Sequence, residues 1–395
     1  MDAPDPVQPL PAAPPRSRVL GRLGIALLGL FTGLIAVDVA AGRLDADRDL
    51  SGEDKILMPH PQLSWTIKPN YDTGKGKGVT NGHGLRSPEI PPDAPPREIR
   101  ILGVGGSRVF GAGKDGPAMW ETWSHYLEEL LTEKHRGRWR VLNGGVMGYS
   151  TVQACRRASL LSEELEPDLI LLFTSPGSQM MLDASASRNW VLVGERMVPA
   201  DLAATWPEEL LPVVLPVHEL LLNSYLYRRQ RTGLVEDERR PRSIDFFVLS
   251  REPREGLVAE MFDRTVEEIG AMARLARERR IQVRGVVMPE KYMDALNRWA
   301  GYKKTNAAAG APPARTHREE PLEVLAEVLA EQGIPSYSLL EEITLFGTDR
   351  ERYTCDDAHW RAEGHRIVAE SILRQMEEED LPPKLLQSRR ARPRD

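Results

Sequence analysis

Short apolar runs alternate with amphipathic stretches along residues 98–380. Nearly continuous apolar runs, typical of strands buried on both faces of a sheet, occupy residues 99–104, 139–142, 169–173, 282–287 and 335–338. Apolar positions with helical spacing occupy residues 119–135, 151–164, 257–279, 319–332 and 362–379. This alternation predicts an α/β domain of three layers (α/β/α), in which helices cover both faces of a parallel sheet.

Two segments depart from the alternation. Residues 176–256 carry an apolar stretch of their own followed by a charged run, and we interpret them as a cap of short helices with a mobile loop. The basic residues of that loop are typical of a solvated surface rather than of a binding patch. Residues 381–395, which end in QSRRARPRD, are predicted to form a disordered basic tail.

The N-terminal segment predicts attachment to a membrane. Residues 1–18 form a Pro-rich leader with arginines at its end, and residues 19–41 are apolar apart from Arg22 and Asp38. A helix needs about 20 apolar residues to cross a bilayer. Arginines ahead of the span favour a cytoplasmic leader with the rest of the chain outside. We therefore expect residues 19–41 to be a single transmembrane anchor.

Two alternatives stay open for this segment, a cleaved signal peptide and a buried soluble helix. A signal peptide would be cut near the small residues Val39 and Ala41. Anchor and signal peptide alike place the remainder of the chain in the periplasm or another extracytoplasmic space. Residues 42–97 form a turn-rich lead-in with short strands expected in 63–70 and 77–90, and its last residues, 91–97, are expected to be a stiff Pro-rich linker.

The composition narrows the class of protein. A chain of 395 residues, 41% of them hydrophobic, can build a substantial core, and a net charge of −6 argues against a nucleic-acid partner. Two cysteines are too few for a disulfide-stapled scaffold or a cysteine zinc site. Because the histidines lack a second ligand at zinc-like spacing, no metal is expected.

Ser107 lies in a glycine turn directly after the first predicted strand, in the sequence GVGGSRVFGAG. Ligand sites of parallel sheets lie at the carboxyl ends of the strands. The turn is not a dinucleotide fingerprint, because Arg108 occupies the third glycine position. Asp115 stands where a phosphate loop needs a hydroxyl, and Val109 stands where a lipase-type elbow needs glycine.

Further motifs occur in a fixed order. The second strand ends in Asn143 and a glycine turn (RVLNGGVMGYSTVQ), the third ends in PDLILLFTSPGSQ, and the sequence DDAHW begins at Asp356. A serine after strand one, glycine loops after the next two strands and a late D-x-x-H resemble the SGNH/GDSL hydrolase family over residues 98–375. The earlier stretch TNGHGLRSPE is similar to the N-x-x-G-x-R lead-in of membrane-anchored bacterial members. The resemblance implies a flavodoxin-like sheet.

The same resemblance assigns roles to single residues. Ser107 would be the nucleophile, His359 the base that takes its proton, and Asp356 the carboxylate that orients the imidazole. Asp357 is the rival for that orienting role. The oxyanion hole would combine the backbone N–H groups of Ser107 and Gly148 with the side chain at position 178, which is Ser178 here. No cofactor is implied.

Two positions depart from the family pattern. Gly106 replaces the acid that precedes the serine, which predicts a less ordered turn. Ser178 and Gln179 stand where the family has an Asn-Asp pair, and loss of one oxyanion donor costs about 10²–10³ in rate.

The sequence therefore predicts an extracytoplasmic serine esterase, or an O-acyltransferase that uses the same acyl-enzyme step. By resemblance, its substrate is an O-acylated envelope carbohydrate or another small ester. The alternative is a catalytically impaired binding or assembly protein of the cell envelope. Cys155 and Cys355 both border the predicted site, and either a disulfide or two buried thiols is compatible with the sequence.

Overall fold

The computed structural model describes the following residues: 56–60, 62–72, 80–91, 98–113, 116–175, 190–193, 196–199, 206–210, 256–289, 320–346, 349–354, 359–391 and the isolated positions 29, 32–37, 40, 213–214 and 217. The chain divides into two compact units, Met1–Leu50 with Pro216–Asp237 and Ser51–Leu215 with Glu238–Asp395. The described residues of the first unit are helical. The rest of the fold belongs to the second unit.

The strands in chain order are β1 (Leu57–His60), β2 (Ser64–Ile67), β3 (Glu98–Gly105), β4 (Arg138–Gly145), β5 (Leu169–Thr174), β6 (Trp190–Val193), β7 (Arg196–Pro199), β8 (Gln282–Val287) and β9 (Ser336–Ser338). The helices are α1 (Ser107–Phe110), α2 (Trp123–Lys134), α3 (Thr151–Leu165), α4 (Gly256–Glu278), α5 (Glu320–Glu331), α6 (Leu340–Phe346), α7 (Arg350–Tyr353), α8 (Ala362–Glu378) and α9 (Leu381–Ala391). Single 3-10 turns lie at Met119–Glu121 and Glu208–Leu210.

The central sheet has the strand order β4-β3-β5-β8-β9, and every pairing within it is parallel. Numbered along the sheet's own strands, this order is 2-1-3-4-5, the flavodoxin-like arrangement. The alternating strands and helices predicted for the α/β domain are confirmed, although the helix predicted for 119–135 begins as a separate 3-10 turn. Within 176–256, where a cap of short helices was predicted, the described residues instead include the antiparallel hairpin β6–β7. The switch in strand order places the carboxyl ends of β3, β4 and β5 side by side.

The core has two apolar layers because alternate residues of each buried strand face opposite sides. Leu102 and Val104 of β3 pack into a cluster with α3, α4 and α5, whereas Ile99 and Ile101 pack into a second cluster with α2, α8 and α9. The three-layer prediction therefore holds. The fully buried strands have no polar face, which explains why they appear in the sequence as continuous apolar runs.

The C-terminal segment differs from its prediction. Where a disordered tail was expected over 381–395, Leu381–Ala391 form helix α9. Leu381 and Leu385 lie one helical turn apart and are buried against the core, with exposed fractions of 2% and 1%. Burial of these two leucines stabilises a helix whose remaining residues are mostly polar or charged.

The described residues of the lead-in belong to the second unit and pack onto its α/β fold. The antiparallel hairpin β1–β2 buries Leu63, Trp65 and Ile67 in a cluster with Phe110 and residues 146–149 of the turn after β4. The strand expected in 63–70 is present as β2, whereas the described part of 77–90 consists of turns and extended chain. All but the first residue of the predicted linker 91–97 lies outside the described residues.

Arg157 of α3 ties the lead-in to the sheet. Its buried guanidinium donates to the carbonyls of Gly144 in β4 and Gly84 in the lead-in, and to the hydroxyl of Thr66 in β2. Burial lowers the pKa of Arg157 from its usual value. That usual value lies so far above neutrality that the guanidinium stays charged at pH 7.

Among the residues that the structure describes, no helix is both long and apolar enough to span a bilayer. Within the predicted anchor, residues 19–41, the structure describes positions 29, 32–37 and 40.

Glycine at position 103 is required by the close approach of helix α2 to strand β3. A Cβ on Gly103 would lie 2.2 Å from Cη2 of Trp123, a fully buried ring that also packs against Phe173. We expect Gly103→Ala to lower the free energy of unfolding by about 1–3 kcal/mol, because the ring must leave its rotamer. Chemical denaturation monitored by tryptophan fluorescence measures the loss.

Gly82→Ala is the matched control for this measurement. There the added Cβ would meet only the exposed carboxylate of Glu89, at 3.2 Å. The stability should change by less than about 0.5 kcal/mol. An equal loss in the two variants would contradict the packing argument.

Candidate active site

Ser107 and His359 meet at the carboxyl end of the sheet. Nε2 of His359 lies 2.8 Å from Oγ of Ser107, although the two residues are 252 positions apart in the chain. Both side chains are partly exposed, so a substrate can reach the pair. Nδ1 of His359 is buried. In the neutral ring, Nε2 can accept the serine proton only in the tautomer that carries hydrogen on Nδ1.

The position of Ser107 follows from the tight turn between β3 and α1. Gly105 is the last residue of β3. A Cβ at this position would lie 2.7 Å from Val109 and 3.0 Å from Phe173, so the tight turn requires glycine there. The carbonyl of Gly106 then accepts from the N–H groups of Val109 and Phe110, which makes Ser107 the first residue of α1. Gly106 itself has an ordinary extended backbone with φ −86°.

Side chains from other elements hold the far end of this turn. The carbonyl of Val109 accepts from Nδ2 of Asn143 at 2.8 Å and from Nε1 of Trp123 at 3.0 Å. The next two carbonyls, of Phe110 and Gly111, accept from the guanidinium of Arg86. These bonds order the turn around Gly106, so the loosening predicted from the sequence is offset by donors elsewhere in the chain.

His359 is held by the loop that precedes α8. Thr354 and Trp360 form an antiparallel bridge, and the N–H of Arg361 donates to the carbonyl of Tyr353 at 2.8 Å. Trp360 is buried in the core with 2% of its surface exposed. The backbone of His359 is therefore held by the buried side chain of its neighbour Trp360 and by helix α8, which begins three residues later.

The two backbone N–H groups predicted for an oxyanion hole, those of Ser107 and Gly148, lie in the turns that follow the neighbouring strands β3 and β4. Within the described residues, the N–H groups of Ser107 and Gly148 donate to no acceptor. Gly148 is exposed and has a left-handed backbone with φ +72°. Its turn is fixed from the lead-in, because Nε1 of Trp65 donates to the carbonyl of Met147 and the hydroxyl of Tyr149 donates to the carbonyl of Trp65.

The N-x-x-G-x-R stretch has a structural explanation that the sequence did not provide. Oδ1 of Asn81 accepts from the N–H groups of His83 and Leu85, which closes the loop. Gly84 needs its φ of +66°, since a Cβ there would lie 2.6 Å from the carbonyl oxygen of Ile67. Arg86 then enters the core beneath α1. The one signal for its role was its place in that motif.

Other predicted residues lie outside the described part of the chain. They are Asp356, Asp357, Ser178, Gln179 and Cys355. The triad carboxylate, the third oxyanion donor and a Cys155–Cys355 disulfide therefore stay predictions. Cys155 itself is buried in the core layer formed by α3.

His365, on α8, is a buried histidine near the pair. Its Nδ1 accepts from the N–H of Trp123 at 3.2 Å, and its ring lies edge-on to Trp360. Burial, followed by the charges of Arg86 and His359, lowers the pKa of His365 well below its usual value. The ring is consequently neutral at physiological pH and serves the structure rather than proton transfer.

No cluster of three or more histidine, cysteine, aspartate or glutamate side chains with the geometry of a metal site occurs among the described residues. The chemistry of the pair itself requires none. A serine hydroxyl hydrogen-bonded to a histidine is the nucleophile–base contact that serine hydrolases use for acyl transfer.

The comparisons with known proteins concern the fold. No protein-family model matches the chain, and no curated protein matches it. Solved structures that align with it include a two-domain esterase active on acetylated mannans, with 12% identity, a TM-score of 0.37 and coverage of 71% of this chain. The alignment spans only 49% of that esterase.

Two further similar structures are aligned over nearly their whole length. A variant of an acetyl xylan esterase from Geobacillus stearothermophilus shows 13% identity and a TM-score of 0.39, covering 70% of this chain and 94% of the esterase. A lipase/acylhydrolase from Enterococcus faecalis shows 13% identity and a TM-score of 0.34, covering 72% of this chain and 96% of the enzyme. All three are ester hydrolases by description; a functional assignment for this chain rests on its own site.

The left-handed backbone of Gly148 gives a test of the predicted oxyanion hole. We expect Gly148→Ala to lower kcat for ester hydrolysis by about tenfold or more, because the new Cβ costs about 1–2 kcal/mol in that conformation and shifts the N–H group. The Cβ would also lie 3.3 Å from Cζ2 of Trp65. Steady-state kinetics with p-nitrophenyl acetate measures the effect.

Gly333→Ala is the control, since Gly333 has a similar φ of +74° at the end of α5, outside the described site. It should lose comparable stability and keep kcat within about twofold. Equal losses of kcat in the two variants would argue against a local role of Gly148.

The lowered pKa of His365 predicts a stability that depends on pH. The unfolded chain binds a proton at position 365 below about pH 6.5, whereas the buried ring resists protonation. The contribution of this residue is therefore fully present above pH 6.5 and is lost as the pH falls, by up to about 1.4 kcal/mol per pH unit. Urea unfolding between pH 7.5 and pH 5 measures the slope.

His365→Asn should remove this part of the slope, because asparagine can accept from the N–H of Trp123 and does not titrate. The control is His125→Asn, at a partly exposed site where the ring pairs with Glu129 on the same helix. Parallel pH profiles for wild type and His365→Asn would overturn the assignment.

Proposed function

We propose that the protein is a serine esterase of the SGNH type. The observation that carries the proposal is the 2.8 Å contact between Oγ of Ser107 and Nε2 of His359 at the carboxyl edge of the sheet. The resemblance of the sequence motifs to that family supports the same conclusion. The chemistry follows from the two residues and the neighbouring N–H groups.

In the first half of the reaction, Oγ of Ser107 attacks the ester carbonyl while Nε2 of His359 takes the hydroxyl proton. The carbonyl oxygen becomes an oxyanion, which accepts hydrogen bonds from the N–H groups of Ser107 and Gly148. The carbon–oxygen bond to the alcohol then breaks, His359 returns the proton to the leaving oxygen, and the acyl group stays on Ser107.

In the second half, water or the hydroxyl of an acceptor attacks the acyl-enzyme. Nε2 of His359 takes a proton from the attacking group, and the departing Oγ of Ser107 receives it back. Water yields a carboxylic acid and makes the protein a hydrolase, whereas a sugar hydroxyl yields a new ester and makes it an O-acyltransferase. The residues of the site serve either outcome.

Two assignments complete the site. Asp356 is the carboxylate that accepts from Nδ1–H of His359, because it lies three residues earlier in the loop that the Thr354–Trp360 bridge closes. The buried state of Nδ1 supports this, since a buried imidazole N–H needs an acceptor. Ser178 is the third oxyanion donor.

The substrate class is an O-acylated carbohydrate of the cell envelope or another small ester. The described acetyl mannan and acetyl xylan esterases are consistent with this class, although the proposal does not rest on those alignments. The location follows from the sequence: residues 19–41 anchor the chain in a membrane and the α/β domain acts outside the cytosol.

The proposal is tested with an acyl-serine-directed fluorophosphonate and with p-nitrophenyl acetate. We expect the purified protein to be labelled at Ser107, located by peptide mass spectrometry. Ser107→Ala and His359→Asn should each lower kcat/KM by at least about 10³-fold, because each removes a member of one catalytic unit. Asp356→Asn should also lower kcat/KM, by a smaller factor than either of these substitutions.

Ser162→Ala is the matched serine control. Ser162 is buried on α3, and its hydroxyl donates to the carbonyl of Ala158. His135→Asn is the histidine control, since this ring pairs with Glu377 at the surface. Absence of labelling and of hydrolysis in the wild-type protein would reject the esterase and leave a binding or assembly protein as the better interpretation.

A further inference from the structure

The side chain of Arg86, in the lead-in, is buried beneath the turn that carries Ser107. This nucleophile turn comprises residues 105–111, from the end of β3 to the cap of α1. Only 1% of Arg86 is exposed. Nη1 donates to the carbonyls of Phe110 and Gly111, each at 2.7 Å, and Nη2 donates to the carbonyl of Pro117 at 2.5 Å. The guanidinium also lies 4.9 Å from the centre of the Phe110 ring. One side chain thus contacts both the end of α1 and the loop after it.

These carbonyls belong to the element that presents Ser107. Helix α1 begins at Ser107, ends at Phe110 and is capped by Gly111 in a left-handed conformation with φ +83°. A helix of a single turn has too few internal hydrogen bonds to be stable alone. Its position must come from bonds to other elements, and Arg86 supplies two of them.

The site is built for a guanidinium. A Cβ at Gly111 would lie 2.6 Å from Nη1 of Arg86 and 3.3 Å from Nε2 of His365. Glycine is therefore needed for the cation to approach. Burial lowers the pKa of Arg86 to about 10, so the group stays charged at neutral pH. A lysine has no planar fork with which to serve carbonyls of two segments at once.

The backbone of Arg86 is fixed from the side of strand β4. Its N–H donates to the carbonyl of Asn143 at 3.0 Å, and the hydroxyl of the next residue, Ser87, accepts from the N–H of Asn143 at 2.9 Å. Asn143 also donates to α1 through its side chain. Arg86 is consequently a fixed support for the turn.

Gly111 also connects the element that carries Ser107 to the helix that follows His359. Gly111 lies close to both Arg86 and His365, since a Cβ on Gly111 would meet both side chains. His365 belongs to helix α8, which begins three residues after His359. A displaced Gly111 would move the end of α1 relative to α8. The separation of Ser107 and His359 depends on that relation.

We infer that Arg86 is a positioning residue for the reaction, which acts through the carbonyls of Phe110 and Gly111 to keep Oγ of Ser107 within hydrogen-bonding distance of His359. This inference rests on the proposed function. Since a displacement of about 1 Å at a reacting atom can cost about 10²-fold in rate, losing the support should lower kcat more than it raises KM.

The test compares Arg86→Lys, Arg86→Gln and Arg86→Ala with the wild-type chain. We expect kcat for p-nitrophenyl acetate to fall by about 30-fold or more and KM to change by less than about threefold. Lysine should not restore kcat. In Arg86→Ala, added methylguanidinium should restore part of kcat, which a general loss of stability would not permit. Thermal unfolding of each variant is measured alongside.

Arg100→Gln is the matched control. Arg100 is partly buried near the start of β3, at the end of the strand away from Ser107, and its guanidinium donates to the carbonyl of Leu165 and the carboxylate of Glu98. The substitution should lower the melting temperature and keep kcat of the folded protein within about threefold. An equal loss of kcat in Arg100→Gln would overturn the inference.

The remaining outcomes are also decisive. If the wild type is labelled at Ser107 while the Arg86 variants keep kcat within threefold, the inference fails and the esterase stands. A wild type without labelling rejects the esterase itself. Where the Arg86 variants do not fold, Gly111→Ala decides, since its Cβ would lie 2.6 Å from Nη1 of Arg86 and would displace the guanidinium. Unchanged kcat in that variant would overturn the inference.

Discussion

The hydrogen bonds accepted by three consecutive carbonyl groups, those of Val109, Phe110 and Gly111, fix the nucleophile turn in place. A one-turn helix has too few internal hydrogen bonds to be stable alone. The contact between Ser107 and His359 depends on the position of this helix, α1. The donors come from three elements that are distant in sequence: Asn143 of β4, Trp123 at the start of α2 and Arg86 of the lead-in. The turn is therefore a property of the folded domain and not of the local sequence.

The sheet and its covering helices could be predicted because their signals are local. A strand buried on both faces must be apolar throughout, so residues 99–104 and 169–173 are recognisable without any partner. Helix α9 was missed for the opposite reason. Its apolar stripe consists of little more than Leu381 and Leu385, and the surrounding lysine and arginines are equally typical of a tail.

The site could be predicted in part. Ser107 and His359 were found because a serine after the first strand and a late D-x-x-H keep a recognisable order. The consequence of Gly106 was not foreseeable, since the donors that replace its missing acid lie elsewhere in the chain. The role of Arg86 was hidden in the same way, because a buried arginine and an exposed one are identical in sequence.

The 252 positions that separate Ser107 from His359 have a consequence for biosynthesis. Chains emerge from the ribosome N-terminus first, and the nucleophile turn can form contacts with β4 and α2 long before α8 exists. Until the last part of the chain is complete, the serine has no base to accept its proton. The contact between Ser107 and His359 can therefore form only after the chain has been synthesised beyond residue 359.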